Sequence, residues 1–140
     1  MSRVEPTVGL LDTSTVVLLE RIAEDDLPTE ANITAVTLAE LSVGPLVAPD
    51  NAERAARQAR LQQAENDFDP LPFDAEAARA FGRVAASLRQ AGRKIQARSY
   101  DGMIAATAIA NGLPLYTVNA TDFEGIPELD LRPIAHPDQL

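Results

Sequence analysis

The stretch Tyr100-Asp101-Gly102-Met103-Ile104-Ala105-Ala106-Thr107-Ala108-Ile109-Ala110, followed by Asn111-Gly112 and then Leu115-Tyr116-Thr117-Val118, decides the fold. From Gly102 to Ala110 the run is apolar on every side, which makes it a helix buried on most faces rather than a surface helix. Asn111 and Gly112 stop it, and the Leu115 to Val118 run reads as a short strand. Ser99 is expected to cap the helix. Outward from this unit the same alternation holds. Val8 to Leu11 is a strand leading into a helix through Val16, Val17, Leu18 and Leu19; Ala31 to Thr34 is a second strand, followed by a short helix pair. Two longer helices are expected from about Asn51 to Asn66 and from Asp74 to Gln90, joined by Leu71-Pro72-Phe73 as an edge strand or extended connection. A last strand falls near Leu131 to Ile134. Alternating elements of this kind imply an α/β protein with a parallel sheet and helices on both faces.

Four carboxylates, Asp12, Glu40, Asp101 and Asp122, interrupt these apolar segments. An acid among core-forming residues loses hydration unless something positive replaces the water, so four of them together suggest a metal. Each has an ordinary alternative. Asp12 or Ser14 could cap the first helix, and Asp101 could complement a helix dipole, worth about 0.3–1 kcal/mol. Glu40, which shares a helical face with Val36 and Val43, could be an exposed acid if Thr37 and Ser42 mark a wet side. Asn119 and Asp122 could be loop residues. In an open α/β sheet, however, ligands bind beyond the carboxyl ends of the strands, and Asp12 and the Asn119 to Asp122 loop meet there if their strands are neighbours. The chain has no Cys, and its one histidine, His136, lies in a polar tail with no expected role. Oxygen donors alone favour a hard cation, Mg²⁺ or Mn²⁺, over zinc or an iron–sulfur cluster.

Four blocks carry a family resemblance: Leu11-Asp12-Thr13-Ser14, Thr37-Leu38-Ala39-Glu40-Leu41, Tyr100 to Ala108, and Tyr116-Thr117-Val118-Asn119-Ala120-Thr121-Asp122-Phe123. Together they resemble the PIN-domain ribonucleases, specifically the VapC toxins of type II toxin–antitoxin pairs, from about Val8 to Ile134. The resemblance implies a three-layer α/β/α fold with a central, mainly parallel sheet. It also implies Asp12 and Asp101 as direct metal ligands, with Glu40 and Asp122 holding waters or a second ion. Asn119 stands where some members carry Asp, so Asp122 would supply the missing charge. The residues fit this chemistry independently: a carboxylate cluster lacks a strong nucleophile and is suited to holding a cation that acidifies water and stabilises charge on a phosphodiester. A serine triad or cysteine nucleophile is excluded by the tail position of His136 and the absence of Cys.

At 140 residues and 46% hydrophobic content, one PIN-like domain spanning 1–140, with its core at about 8–134, is expected, without repeats. The uncharged stretch Gly102 to Thr121 is too polar for a membrane span, and Met1 to Thr7 lacks the apolar core of a secretion signal, so a cytoplasmic protein is expected. The net charge of −9 opposes a nucleic-acid substrate at long range, yet residues 54–98 hold nine of the twelve basic residues against five acids. Arg54, Arg57 and Arg60 fall on one side of a helix, balanced by Glu53 and Glu65 if they are only solvated. Arg93, Lys94 and Arg98 precede Asp101 and are read as phosphate contacts, and Tyr100 as a stacking platform for a base.

The resemblance further implies a structured RNA substrate such as tRNA or rRNA, a cognate antitoxin and a homodimer. Apolar residues on two short helices, Val17, Leu18 and Ile22 on one and Leu38, Leu41 and Leu46 on the other, are expected to leave a sticky groove for the antitoxin. Two competing readings are a non-catalytic PIN-fold interaction module, kept open by Asn119, and a receiver-type phosphoacceptor domain. The latter wants an acid pair after the first strand and a late lysine, whereas Asp12 is followed by Thr13 and the only lysine is Lys94.

Overall fold

Four short strands, β1 (Val8–Leu11), β2 (Glu30–Asn32), β3 (Leu115–Thr117) and β4 (Leu131–Pro133), pair side by side in the order β2-β1-β3-β4, and each pairing is parallel. This is a computed structural model describing residues 6–139; the expectation for the N-terminal segment falls largely outside them. Because successive strand residues point to opposite faces, Leu10 and Leu11 enter different layers, and both are fully buried. Leu10 packs with Leu115, Ala80, Val84, Leu88 and Ile104, whereas Leu11 packs with Val16, Ile33, Leu41 and Ala64. Both faces of the sheet are therefore covered, as a parallel sheet requires, and the architecture is the expected three-layer α/β/α.

One outer layer is α4 (Ala75–Gln90) and α5 (Ser99–Ala110). α4 buries Ala77, Ala80, Val84 and Leu88, a single stripe at helical spacing. α5 is buried along most of its length, and Gly102 lets α4 approach it closely: a Cβ there would lie 3.1 Å from Phe81 Cε2. The other layer holds α1 (Thr13–Val17), α2 (Ala35–Val43) and α3 (Asn51–Asp67). Asp50 and Asp74 cap α3 and α4 through the amides of Glu53 and Ala77, at 2.8 and 2.9 Å.

Several expectations change in detail. β2 ends at Asn32 because Thr34 turns to cap α2, accepting Thr37 N at 3.0 Å, and Leu71 forms only an isolated parallel bridge to Thr34. β3 ends at Thr117 because the Val118 amide donates to Thr15 Oγ1 instead of continuing the ladder. The second of the short helices is a single 3-10 turn, Gly44–Val47. Ser99 does not cap α5: a 3-10 turn, Gln96–Arg98, runs straight into the helix, so Ser99 lies inside it and donates back to the carbonyls of Ile95 and Gln96. Thr37 is fully buried and Val43 exposed, against expectation, whereas Ser42 is exposed and Val36 buried as expected, so the wet and dry sides of the Glu40 helix hold only in part.

The chain leaves β1 for β2 on one side and returns to β3 on the other, which makes the gap between β1 and β3 the topological switch point. Leu10 and Leu11 are in register with Leu115 and Tyr116, so the next residues, Asp12 and Thr117, come abreast where the strands end. Leu115 is the pivot of this arrangement, fully buried between β1 and β4. Leu115→Ala is expected to lower unfolding stability by about 2–5 kcal/mol in urea denaturation; a loss below about 1 kcal/mol would contradict its place at the centre of the core.

Candidate metal centre

Asp12 sits at the N-cap of α1, directly after β1, and is 2% exposed. A charge this buried has to be hydrogen-bonded, and the local sequence supplies the donors. Its Oδ1 accepts from the Thr15 amide at 3.3 Å and from the Thr15 hydroxyl, and its Oδ2 accepts from Ser14 Oγ at 2.8 Å and Thr117 Oγ1 at 2.9 Å. Thr15 and Thr117 are held in turn, because their hydroxyl oxygens accept the amides of Val118 at 3.2 Å and Asn119 at 2.9 Å. β1, α1 and the end of β3 thus form one hydrogen-bonded unit around a single carboxylate.

Glu40 reaches the same place from α2. Thr13 Oγ1 donates to Glu40 Oε1 at 2.7 Å and lies 3.0 Å from Thr37 Oγ1. Burial pushes the Glu40 carboxyl above its ordinary value, the Thr13 hydrogen bond pulls it back, and the charge of Asp12 raises it again. Asp101, in the first turn of α5, is pushed up to about 6, first by burial and then by Asp122, Asp12 and Glu40, with Arg98 acting in the opposite direction. The other three acids all raise Asp101, so the four predicted carboxylates lie near one another at this end of the sheet.

Asp122 lies in the 3-10 turn Ala120–Phe123 after β3, where its Oδ1 accepts from Arg98 Nη1 at 2.8 Å. Asn119 occupies the bend between β3 and that turn; its backbone is fixed to Thr117 and Asp122, while its side chain has no protein hydrogen bond among the described residues. The basic loop is less free than the sequence suggests. Arg93 Nη1 donates to the carbonyls of Thr121 and Glu124 at 2.9 and 2.8 Å, so this arginine staples two loops together and Arg98 neutralises an acid. Lys94 is exposed and has no ion-pair partner among the described residues, and Tyr100 is 54% exposed beside Asp101.

The hydroxyls of Thr13, Ser14, Thr15 and Thr117 are the functional groups that sequence reasoning missed; their signal was the run of three hydroxyl residues after Asp12. The apolar groove is also placed differently. Ile22 and Leu41 are core residues, and the groove, of about 520 Å³, runs between α1 with the turn after it and α3; Val16, Val17, Leu18, Leu19 and Phe68 form its apolar part, and Glu20, Arg21, Arg60, Gln63 and Asp67 its polar part. Arg54, Arg57 and Arg60 do not act as one patch: Arg57 pairs with Glu53 and donates to the Gly44 carbonyl, while Arg54 lines a separate hollow with Leu46.

The donor set suits a hard divalent cation. It is all oxygen, and mutual repulsion with burial holds Asp101 well above the ordinary carboxylate range. Even so, no three acidic or imidazole groups among the described residues are gathered as a finished coordination cluster. The hydrogen bonds account for this: Asp12 is turned toward hydroxyls and Asp122 toward Arg98.

Comparison with known proteins gives the family. The PIN domain family model matches residues 10–129, and the chain belongs to that family, in its VapC branch. It is 39% identical over 115 residues to Ribonuclease VapC5 of Mycobacterium tuberculosis, covering 80% of this chain and 83% of that one. To Ribonuclease VapC of Rickettsia bellii it is 31% identical over 126 residues, covering 87% and 92%. Among solved structures, VapBC-5 of M. tuberculosis, described as a member of the VapBC family of toxin–antitoxin systems, superposes with a TM-score of 0.77 at 34% identity, covering 92% of this chain and 100% of that one.

The raised Asp101 value carries a stability consequence. A carboxyl whose folded value, about 6, lies above its ordinary 3.8 binds its proton more tightly in the folded state. The metal-free protein therefore loses stability as pH rises through that window and carries the full penalty above it. In chelator, Asp101→Asn is expected to be more stable than wild type at pH 7.5 by on the order of 1–2 kcal/mol, since solvent reaches the pocket, and the difference should shrink toward pH 4. Urea denaturation at the two pH values checks this; a variant less stable at pH 7.5 would contradict the crowding of acids.

Proposed function

We propose that this chain is a divalent-metal-dependent endoribonuclease that hydrolyses RNA phosphodiester bonds and acts as the toxin of a toxin–antitoxin pair. The observation that carries the reading is the convergence of Asp12, Glu40, Asp101 and Asp122 at the switch point between β1 and β3, in a chain of the PIN family. The curated relatives are named ribonucleases, and the solved VapBC-5 structure is described as a member of a family of toxin–antitoxin systems. We read residues 1–140 as one such domain, with its core at about 8–134.

Asp12 and Asp101 would hold Mg²⁺ or Mn²⁺, with Glu40 and Asp122 around it. The bound cation would acidify water and offset charge on the phosphodiester. Glu40 keeps one oxygen on Thr13, which fixes its orientation and leaves Oε2 to accept a proton from water; the raised value of its carboxyl makes it a better base than an exposed glutamate. The Asn119 amide is uncharged and free to turn toward substrate or water. Tyr100 beside Asp101 suits stacking on an unpaired base, and Lys94 suits a phosphate, as recognition of a looped tRNA or rRNA would need. Arg93 and Arg98 act in this reading by holding the loops that carry Asp122 and Asp101.

The α1–α3 groove, an apolar strip flanked by charged side chains, supports an amphipathic helical antitoxin segment as the cognate partner. The exposed Val43, Leu46 and Val47 at the end of α2 supply surface for a homodimer. No helix among the described residues is long and apolar enough to cross a membrane, in keeping with a cytoplasmic toxin.

Asp12→Asn and Asp101→Asn are each expected to lower metal-dependent RNA cleavage by at least about 10²-fold, as loss of a main electrostatic stabiliser does, and excess chelator should abolish wild-type cleavage. Wild-type rates in either variant would remove the metal mechanism. Lys94→Ala should flatten the dependence of log RNA affinity on log salt by about 0.7 for one lost phosphate contact on a single strand; an unchanged slope would return Lys94 to a solvated surface role.

A further inference from the structure

Asp12 has no lone pair to spare. A carboxylate offers about four acceptor sites, two on each oxygen. Here the Thr15 amide and hydroxyl converge on Oδ1, and the Ser14 and Thr117 hydroxyls on Oδ2. For Asp12 to hold a cation directly, as the reading above requires, one of these donors has to leave.

The four are not equally free to do so. The Thr15 amide is part of the start of α1, where it makes the cap bond. Thr15 and Thr117 are fully buried, and the oxygen of each hydroxyl also accepts a backbone amide at the end of β3, from Val118 and Asn119. Turning either away would orphan a buried N–H, and their β-branched side chains are stiff at χ1. Ser14 differs on every count. It is half-buried and unbranched, and among the described residues its hydroxyl bonds only to Asp12, at 2.8 Å, with no amide depending on it.

We propose that Ser14 is the yielding donor: its hydroxyl occupies Asp12 Oδ2 in the metal-free protein and swings off when a divalent cation binds, so that Ser14 sets metal affinity as a positioning residue. The hydroxyl keeps the buried carboxylate satisfied without metal and competes with the cation for the same oxygen. The inference rests on the reading of Asp12 as a metal ligand, so its test includes a variant that checks that reading separately.

Calorimetric titration of Mn²⁺ into chelator-treated wild type, Ser14→Ala, Ser14→Thr and Asp12→Asn at pH 7.5 decides the matter. Ser14→Ala is expected to bind Mn²⁺ about 3- to 10-fold more tightly, the equilibrium worth of one competing hydrogen bond, while Ser14→Thr, which keeps a competing hydroxyl on a stiffer side chain, is expected to show no such tightening. Asp12→Asn is expected to lose this binding. Ser14→Gly, which also lacks the hydroxyl, must tighten as Ser14→Ala does, which separates the effect from a folding defect peculiar to one variant; circular dichroism verifies each fold. Unchanged or weaker affinity in Ser14→Ala and Ser14→Gly, alongside loss in Asp12→Asn, would overturn the role of Ser14 and leave the metal centre standing. Wild-type affinity in Asp12→Asn would overturn both.

Discussion

Asp12 is buried to 2% exposure at the junction of β1 and α1, and donors from two strands' ends converge on its carboxyl oxygens. That constraint organises the surroundings. Thr117 can reach Asp12 only if β3 runs parallel to β1 in the observed register, and Thr15 can serve both Asp12 and Val118 only if α1 starts at Thr13. The carboxylate therefore ties the central strand pair to the first helix. The same bonds bring the Asn119 to Asp122 turn, and with it Asp122, over the start of α5.

The pocket is built against local stability. Burial and like charge both raise Asp101, and the positive charge of Arg98, which also pairs with Asp122, offsets only part of this. An arrangement that is costly empty and relieved by a cation is what a binding site for a hard metal requires, because the repulsion is released on binding. Scaffold rigidity makes it sustainable: α5, which presents Asp101, is packed along α4 through Gly102, and Arg93 staples the loop before it to the turn that carries Asp122. Structural arginines thus stand where a purely acidic site would otherwise splay apart.

The acids were legible in the sequence because each interrupts an apolar run, and the parallel sheet was legible because strand and helix periods alternate along the chain. What escaped were features set by contacts distant in sequence. Arg93 and Arg98 look like free cations until the 121–124 turn, 24 to 31 residues later, is folded against them. Ser99 resembles a cap until the preceding turn is seen to continue into α5. The hydroxyls of Thr13, Ser14 and Thr15 read as a strand-to-helix turn, and only the neighbouring β3 and α2 reveal that they serve two carboxylates. The groove shifted because α3, rather than α2, faces α1 across it.

The central claim is that the four carboxylates form one cation site at the carboxyl ends of β1 and β3. Anomalous scattering from crystals grown with Mn²⁺ tests it most directly. The account predicts a peak bounded by the carboxylates of Asp12 and Asp101, with Glu40 and Asp122 on its flanks. A peak confined to the exposed acidic run Glu24, Asp25 and Asp26, with the pocket empty at saturating Mn²⁺, would contradict it.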